Sequence, residues 1–351
     1  MKVKFERRGA ASARLVALSR FLSVLLAFPI TSIVFLAYGT NPVKALVEIF
    51  GNVFGSWFGI CETLVKSIPL ILCGVGLTVA YKAGIISIGA EGQLLVGAIA
   101  ATWVAIYSGV SSPLVLPLMF ILGGAAGAAY AALPGILRAK LGLSEIIITL
   151  MLNYVAQNLL VWLVTGPWKG KGEWGFPQTD KFPDYATLQA IPGTRIPYVM
   201  LTMALLSIAV LYFLLFRTKL GYEIRVLGDN PDAAKFAGMK ITRLIIASMM
   251  ISGFMAGLAG VGEVAGIQQR LKRGISPGYG FTAIIPAWLS NLNPIFVLPA
   301  SILVGGLFVG GDIIQISLRL PFGVVNVFNG TILILLASSE FLVKYRPVLR
   351  T

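Results

Sequence analysis

Long apolar runs separated by short polar ones dominate the chain, and their lengths predict helices that cross a bilayer. Crossing the hydrocarbon takes roughly 20 apolar residues in helical conformation. Such windows centre on 21–38, 64–81, 85–107, 114–137, 145–165, 198–216, 244–265, 295–310 and 324–342. A tenth, at 281–289, is too brief to span upright and is expected to be re-entrant or stacked within the bundle. Residues 43–58 have the spacing of an amphipathic helix lying at the outer face. The expectation is an all-α, polytopic integral membrane protein, with about ten membrane segments forming a single domain over 1–351.

One polar interruption stands apart. Residues 217–243, RTKLGYEIRVLGDNPDAAKFAGMKITR, hold six Lys or Arg and three Asp or Glu. In their middle lies a miniature helix with both ends encoded. Asn230 suits the N-cap, Pro231 the first helical position, Asp232 the positive end of the dipole, and Gly238 a left-handed stop. So short a helix is marginal alone in water, so a partner surface is expected to hold it.

Charge orients the bundle. With an even number of crossings and the basic segment 1–20 inside, both termini and the loop 217–243 are cytoplasmic, and 166–196 is an outer loop. That topology places 18 of the 28 Lys and Arg on the inner side, as the positive-inside rule requires. Arg270, Lys272 and Arg273 fall outside on it.

Composition narrows the classes. Of 351 residues, 57% are hydrophobic and only 12% charged, with a mean hydropathy of +0.87, which excludes an ordinary soluble domain. The net charge of +14 does not indicate a nucleic acid polymer as partner, because the basic residues cluster at span ends beside membrane lipid. Two cysteines and no histidine leave no disulfide framework, no Cys/His metal site and no catalytic triad. Nothing matches a phosphate-cradling G-x-x-x-x-G-K-[ST] loop, so any ATP hydrolysis belongs to another chain. The chain reads as a transport component, with no enzyme activity of its own.

Several polar residues interrupt the spans. Glu91, in GIISIGAEGQ between Gly89 and Gly92, lies about seven residues into a span, where a lone carboxylate costs a few kcal/mol. It reads equally as a polar hinge on a transport path or as a structural carboxylate bonded to a neighbouring helix. Glu145, Asn153, Gln157 and Asn158 polarise the fifth span, where Asn153 and Gln157, four apart, share a face. Paired amides suit hydroxyls and base edges, and they equally suit interhelical bonding. Glu263 approaches the outer end of the seventh span. The cluster Gly123-Gly124-Ala-Ala-Gly127 and the pair Gly305-Gly306 mark close helix–helix contacts.

Four stretches in matching order carry a family likeness: AGIISIGAEGQ (83–93), SEIIITLMLNYVA (144–156), GDNPDAAKFAGM (228–239) with SGFMAGLAGVGEVAG (252–266), and GYGFTAIIPAWL (278–289). With GPWKGKGEWGFPQT (166–179) beside them, the chain resembles permease subunits of ABC importers of the ribose, branched-chain amino acid and nucleoside superfamily, the nucleoside branch above all. The resemblance implies a cytoplasmic ATP-binding subunit that docks on Asp229, Asn230, Pro231, Asp232, Ala233, Ala234 and Gly238. It further implies a second permease subunit completing a heterodimeric pore, and an external substrate-binding lipoprotein. ATP and magnesium would then sit on the ATPase, with no cofactor on this chain, and the location would be the cell membrane. Ser87, Glu91, Gln93, Asn153, Gln157 and Glu263 become candidates for the translocation path. The family usually has Asn where this chain has Ser87, and AVALLG where it reads IIPAWLS. Nucleosides lead as solute and simple sugars follow. A reading of a different class is an ATPase-independent transporter or channel using Glu91 and Glu263.

Overall fold

The computed structural model describes residues 2–7, 29–33, 35–110, 114–172, 175–317 and 345–350, with isolated positions among 22–26 and 320–338. These fall into two compact units, one formed by 64–303 and the other by 1–63 with 304–351.

In the terminal unit, Lys2–Arg7 (β1) pairs antiparallel with Tyr345–Arg350 (β2), Lys2 lying opposite Arg350. The ribbon departs from the all-helical expectation. Its first strand, KVKFER, alternates polar and apolar residues at the strand period, a signal too short to stand out beside the long apolar runs. The amphipathic helix forms as Pro42–Phe54 (α1), with Pro42 at its first position. The side chain of Asn41 accepts from the Val43 amide at 3.0 Å and caps it. Gly306 lets the later chain approach Val53 and Phe54. Of the predicted span 21–38, the described part is helical over Pro29–Ala37 and meets α1 at 113°. Most of the span expected at 324–342 lies outside the described residues.

The larger unit is built from Trp57–Lys82 (α2, shared across the boundary), Ala90–Tyr107 (α3), Val115–Leu141 (α4), Glu145–Thr165 (α5) and Tyr198–Arg217 (α6). Two short helices follow, Lys219–Asp229 (α7) and Pro231–Phe236 (α8), and then Ile241–Gly262 (α9), whose end widens into a π-helical turn over Glu263–Gln268. Tyr279–Thr282 (α10) and Ile284–Leu289 (α11) complete it, and Pro294–Ser317 (α12) is shared across the boundary, which falls after Leu303. Among the described residues, seven helices are long and apolar enough to cross a membrane, or eight if the bent pair at 29–54 is one span. The segment expected at 281–289 is realised as α10 and α11, far too short to cross alone.

Glycine sets the centre of this unit. A Cβ on Gly253 of α9 would overlap the Gly127 carbonyl of α4, and one on Gly257 would overlap that of Gly123. Both helices thus carry glycines four apart on facing stripes, running in opposite directions. Gly97 of α3 lies against Gly257 from a third side. Backbones approach this closely only where side chains are absent, which is how helices associate when lipid offers no hydrophobic driving force.

Candidate functional site

The site grows from a break between α2 and α3. The sequence pattern places a continuous span over 85–107, yet the helix starts only at Ala90. Gly84, at φ +73°, ends α2 in the left-handed region. The amides of Gly84 and Ile85 return to the carbonyls of Tyr81 and Ala80 at 3.0 Å each, a Schellman stop. Residues 85–88 then run without helical bonds. Glu91 consequently sits in the first turn of α3, where the helix dipole favours a carboxylate, rather than deep in a span.

Buried non-helical backbone needs partners, and one face of α5 supplies them. Glu145 Oε1 accepts from the Ile86 amide at 3.0 Å, and Thr149 Oγ1 accepts from the Ile88 amide at 3.2 Å. Asn153 donates to the Ile88 carbonyl at 2.9 Å and accepts from the Gly92 amide at 2.8 Å. These residues are four apart, so they form a single stripe. Glu145 is itself paired with Arg138 of α4, and Tyr81 donates to the Ser87 carbonyl at 2.9 Å. Thr149 escaped the sequence reading. A threonine in an apolar helix ordinarily bonds its own preceding turn, as this one also does at Glu145 O, 2.6 Å away.

On the other side of α3, Glu91 holds the chain returning from the π-helical turn. Its carboxylate accepts from the Gly280 amide at 2.8 Å and lies beside the Phe281 amide and the Ser276 hydroxyl. Ser276 Oγ accepts in turn from the amides of Gly278 and Tyr279 at 3.1 and 3.0 Å. A Cβ on Gly280 would overlap the backbone of Ala90 and Glu91, so only glycine admits this contact.

Between α3, α5 and 273–281 lies a cavity of about 220 Å³. Glu91, Asn153, Gln157, Arg273, Ser276 and Phe281 contribute to its wall. Three of the six path candidates meet there. Ser87, Gln93 and Glu263 are not part of its lining. Ser87 is fully buried and accepts from the Gly89 amide at 3.3 Å. Gln93 is 1% exposed, and its Oε1 has no hydrogen-bond partner among the described residues. Glu263 is buried in the π-helical turn, within electrostatic range of Lys66, Arg195 and Lys272. Arg273, placed outside by the sequence reading, reaches the cavity because the chain turns back after Gln268. There Leu271 O and Gln269 O accept from the amides of Thr179 and Phe182 at 2.9 and 2.8 Å.

The charged loop forms at the end of the unit that carries the break. Asn230 Oδ1 accepts from the amides of Asp232 and Ala233 at 3.0 and 3.1 Å, and Pro231 opens α8. Gly238, at φ +72°, closes it, with the Met239 amide on Ala234 O at 3.0 Å. Asp229 through Ala233 are exposed and Ala234 is buried. Phe236, which the sequence reading passed over, is 93% exposed. Gly228 lies directly on the break, since a Cβ there would overlap Lys82 O and come within 3.0 Å of Gly84 N.

Residues 59–337 match the family model described as "Branched-chain amino acid transport system / permease component". A glucose ABC transporter permease of Haloferax volcanii is 36% identical, covering 99% of this chain and 93% of its own length. A guanosine ABC transporter permease of Bacillus subtilis is 30% identical, covering 91% and 92%. A nucleoside ABC transporter permease of Lactococcus lactis is 32% identical, covering 80% of each. A family match over most of the chain, and kinship along nearly its full length, fit a helical bundle that encloses a polar cavity and presents a capped charged hairpin at one end; this chain belongs to the family of ABC transport system permease components.

Proposed function

We propose that this chain, with a second permease subunit, forms the path along which an ABC importer carries nucleosides into the cell. As a family member it is a multi-pass membrane protein and a transport component rather than an enzyme. The energy enters from a cytoplasmic ATP-binding subunit that holds ATP and magnesium. An external receptor delivers the solute, and the second permease makes the pore a heterodimer. The two termini and the hairpin α7–α8 lie on the cytoplasmic side in this reading.

One observation carries the coupling role. Phe236 is 93% exposed at the end of a capped helix, in a segment too charged to sit in lipid. An aromatic so placed suits the centre of a protein interface, where such residues supply most of the binding energy. The docking surface is thus Asp229, Asn230, Pro231, Asp232, Ala233 and Gly238, now with Phe236 as its anchor, whereas Ala234, expected on that surface, is buried and offers no contact. Replacing Phe236 with Ala is expected to lower co-purification of the ATPase at least tenfold, the loss of about 1.4 kcal/mol or more. Membrane abundance should not change. Full ATPase retention and full uptake in this variant overturn the assignment.

The cavity suits a polar, ring-shaped solute, since amide, carboxylate and guanidinium groups stand beside the rings of Tyr154 and Phe281. A simple sugar is the second reading, favoured by the 36% identity to a glucose permease. Uptake of labelled guanosine and of labelled glucose by the assembled importer separates the two: glucose uptake with no guanosine uptake overturns the nucleoside reading.

A further inference from the structure

The cavity's polar residues divide into two sets. Glu91 is committed to the returning chain, accepting from Gly280 N at 2.8 Å beside Phe281 N and the Ser276 hydroxyl. Asn153 is engaged at both ends, by Ile88 O and Gly92 N. Arg273 and Gln157 differ: both are exposed, and their side chains make no hydrogen bond or ion pair among the described residues. They line the same 220 Å³ of space.

We infer that Arg273 and Gln157 are the groups that discriminate between solutes, and that Glu91 and Asn153 are positioning residues that hold the walls. The inference rests on the cavity being the translocation path. A guanidinium presents a planar fork of donors, matched to a pair of acceptors on one edge, such as the carbonyl and ring nitrogen of a purine or two neighbouring oxygens of a sugar. An amide adds one donor and one acceptor. The solute class is therefore one with a paired acceptor edge. Tyr154 and Phe281 supply ring surface against which such a solute packs.

The test uses the assembled importer, with its ATPase, second permease and receptor, in proteoliposomes. Maximal uptake is measured with the receptor saturated, so that receptor affinity drops out. Two solutes that differ in their acceptor edge are compared: guanosine with adenosine, or glucose with 2-deoxyglucose if the wild type carries sugars. Arg273→Met and Gln157→Leu are expected to change the ratio of the two rates by about tenfold, the worth of one hydrogen bond to a charged or buried partner. Arg273→Lys keeps the charge without the fork and should shift the ratio in the same direction. Glu91→Gln and Asn153→Ser should slow both solutes by a common factor and leave the ratio alone. A common factor for the Arg273 and Gln157 variants, or a changed ratio in Glu91→Gln, overturns the division of labour while leaving the path in place. Unchanged rates in all five variants overturn the path itself. Rates are normalised to the amount of assembled complex.

Discussion

Asn153 holds a carbonyl and an amide that no helix ladder satisfies, so one side chain replaces two missing backbone bonds at the break. Replacing it with Leu leaves Ile88 O and Gly92 N unpaired in a buried place. Each such group costs about 1–3 kcal/mol, so the variant should unfold in detergent at a markedly lower temperature. Asn158→Leu is the control. That residue is exposed and bonds only its own helix at Tyr154 O, and its replacement should leave the melting temperature in place. Single residues were unevenly legible in the sequence. Asn153 and Glu91 announced themselves, because an amide or carboxylate in an apolar run must have a reason to be there. Arg273 did not, because its position beyond a span's end looks like a solvated loop, and only the return of the chain towards α3 brings it to the cavity.

Elements followed the same logic at larger spacing. The caps of α8 and the contact glycines of α4 were readable, since each depends on residues within one or two turns, while the facing Gly253 and Gly257 of α9 came only with the structure. The break at 85–88 was not. Its residues are as apolar as a helix interior, and the groups that stabilise it lie about sixty positions later on α5. The contact of α7 with that break joins the hairpin to the cavity wall through backbone and one side chain: Gly228 rests on Lys82 and Gly84, residues 86–92 follow, and the Asn153 side chain bonds them and lines the cavity. Gly228→Val should therefore leave ATPase binding intact, because Phe236 is untouched, while solute-stimulated ATP hydrolysis falls severalfold and uptake falls with it. Reduced co-purification of the ATPase in Gly228→Val, matching that of Phe236→Ala, would show that the two sites act only in docking.

For the whole molecule, the decisive measurement is flux through the chain by itself. Reconstituted alone, it should carry no solute down a gradient; uptake should require the ATPase, the second permease and ATP. Gradient-driven flux through the lone chain would instead establish the autonomous transporter that Glu91 and Glu263 also suggested. Among the described residues the bundle has seven membrane-length helices, and the short segment expected to be re-entrant or stacked, Tyr279–Leu289, shows why counting apolar windows has a limit. At the helical rise its eleven residues reach about 16 Å, half of the hydrocarbon thickness. Such a stub has too little apolar length to enter lipid by its own partitioning during synthesis. It is held by the bonds of its first turn to Glu91 and by the stacking of Trp288 on Tyr81, ring centres 5.2 Å apart. Both anchors are translated some two hundred residues earlier. Biogenesis therefore has an order: α2 and α3 must already be seated before this part of the chain can leave the translocon, and a ribosome stalled short of it leaves the cavity without its third wall.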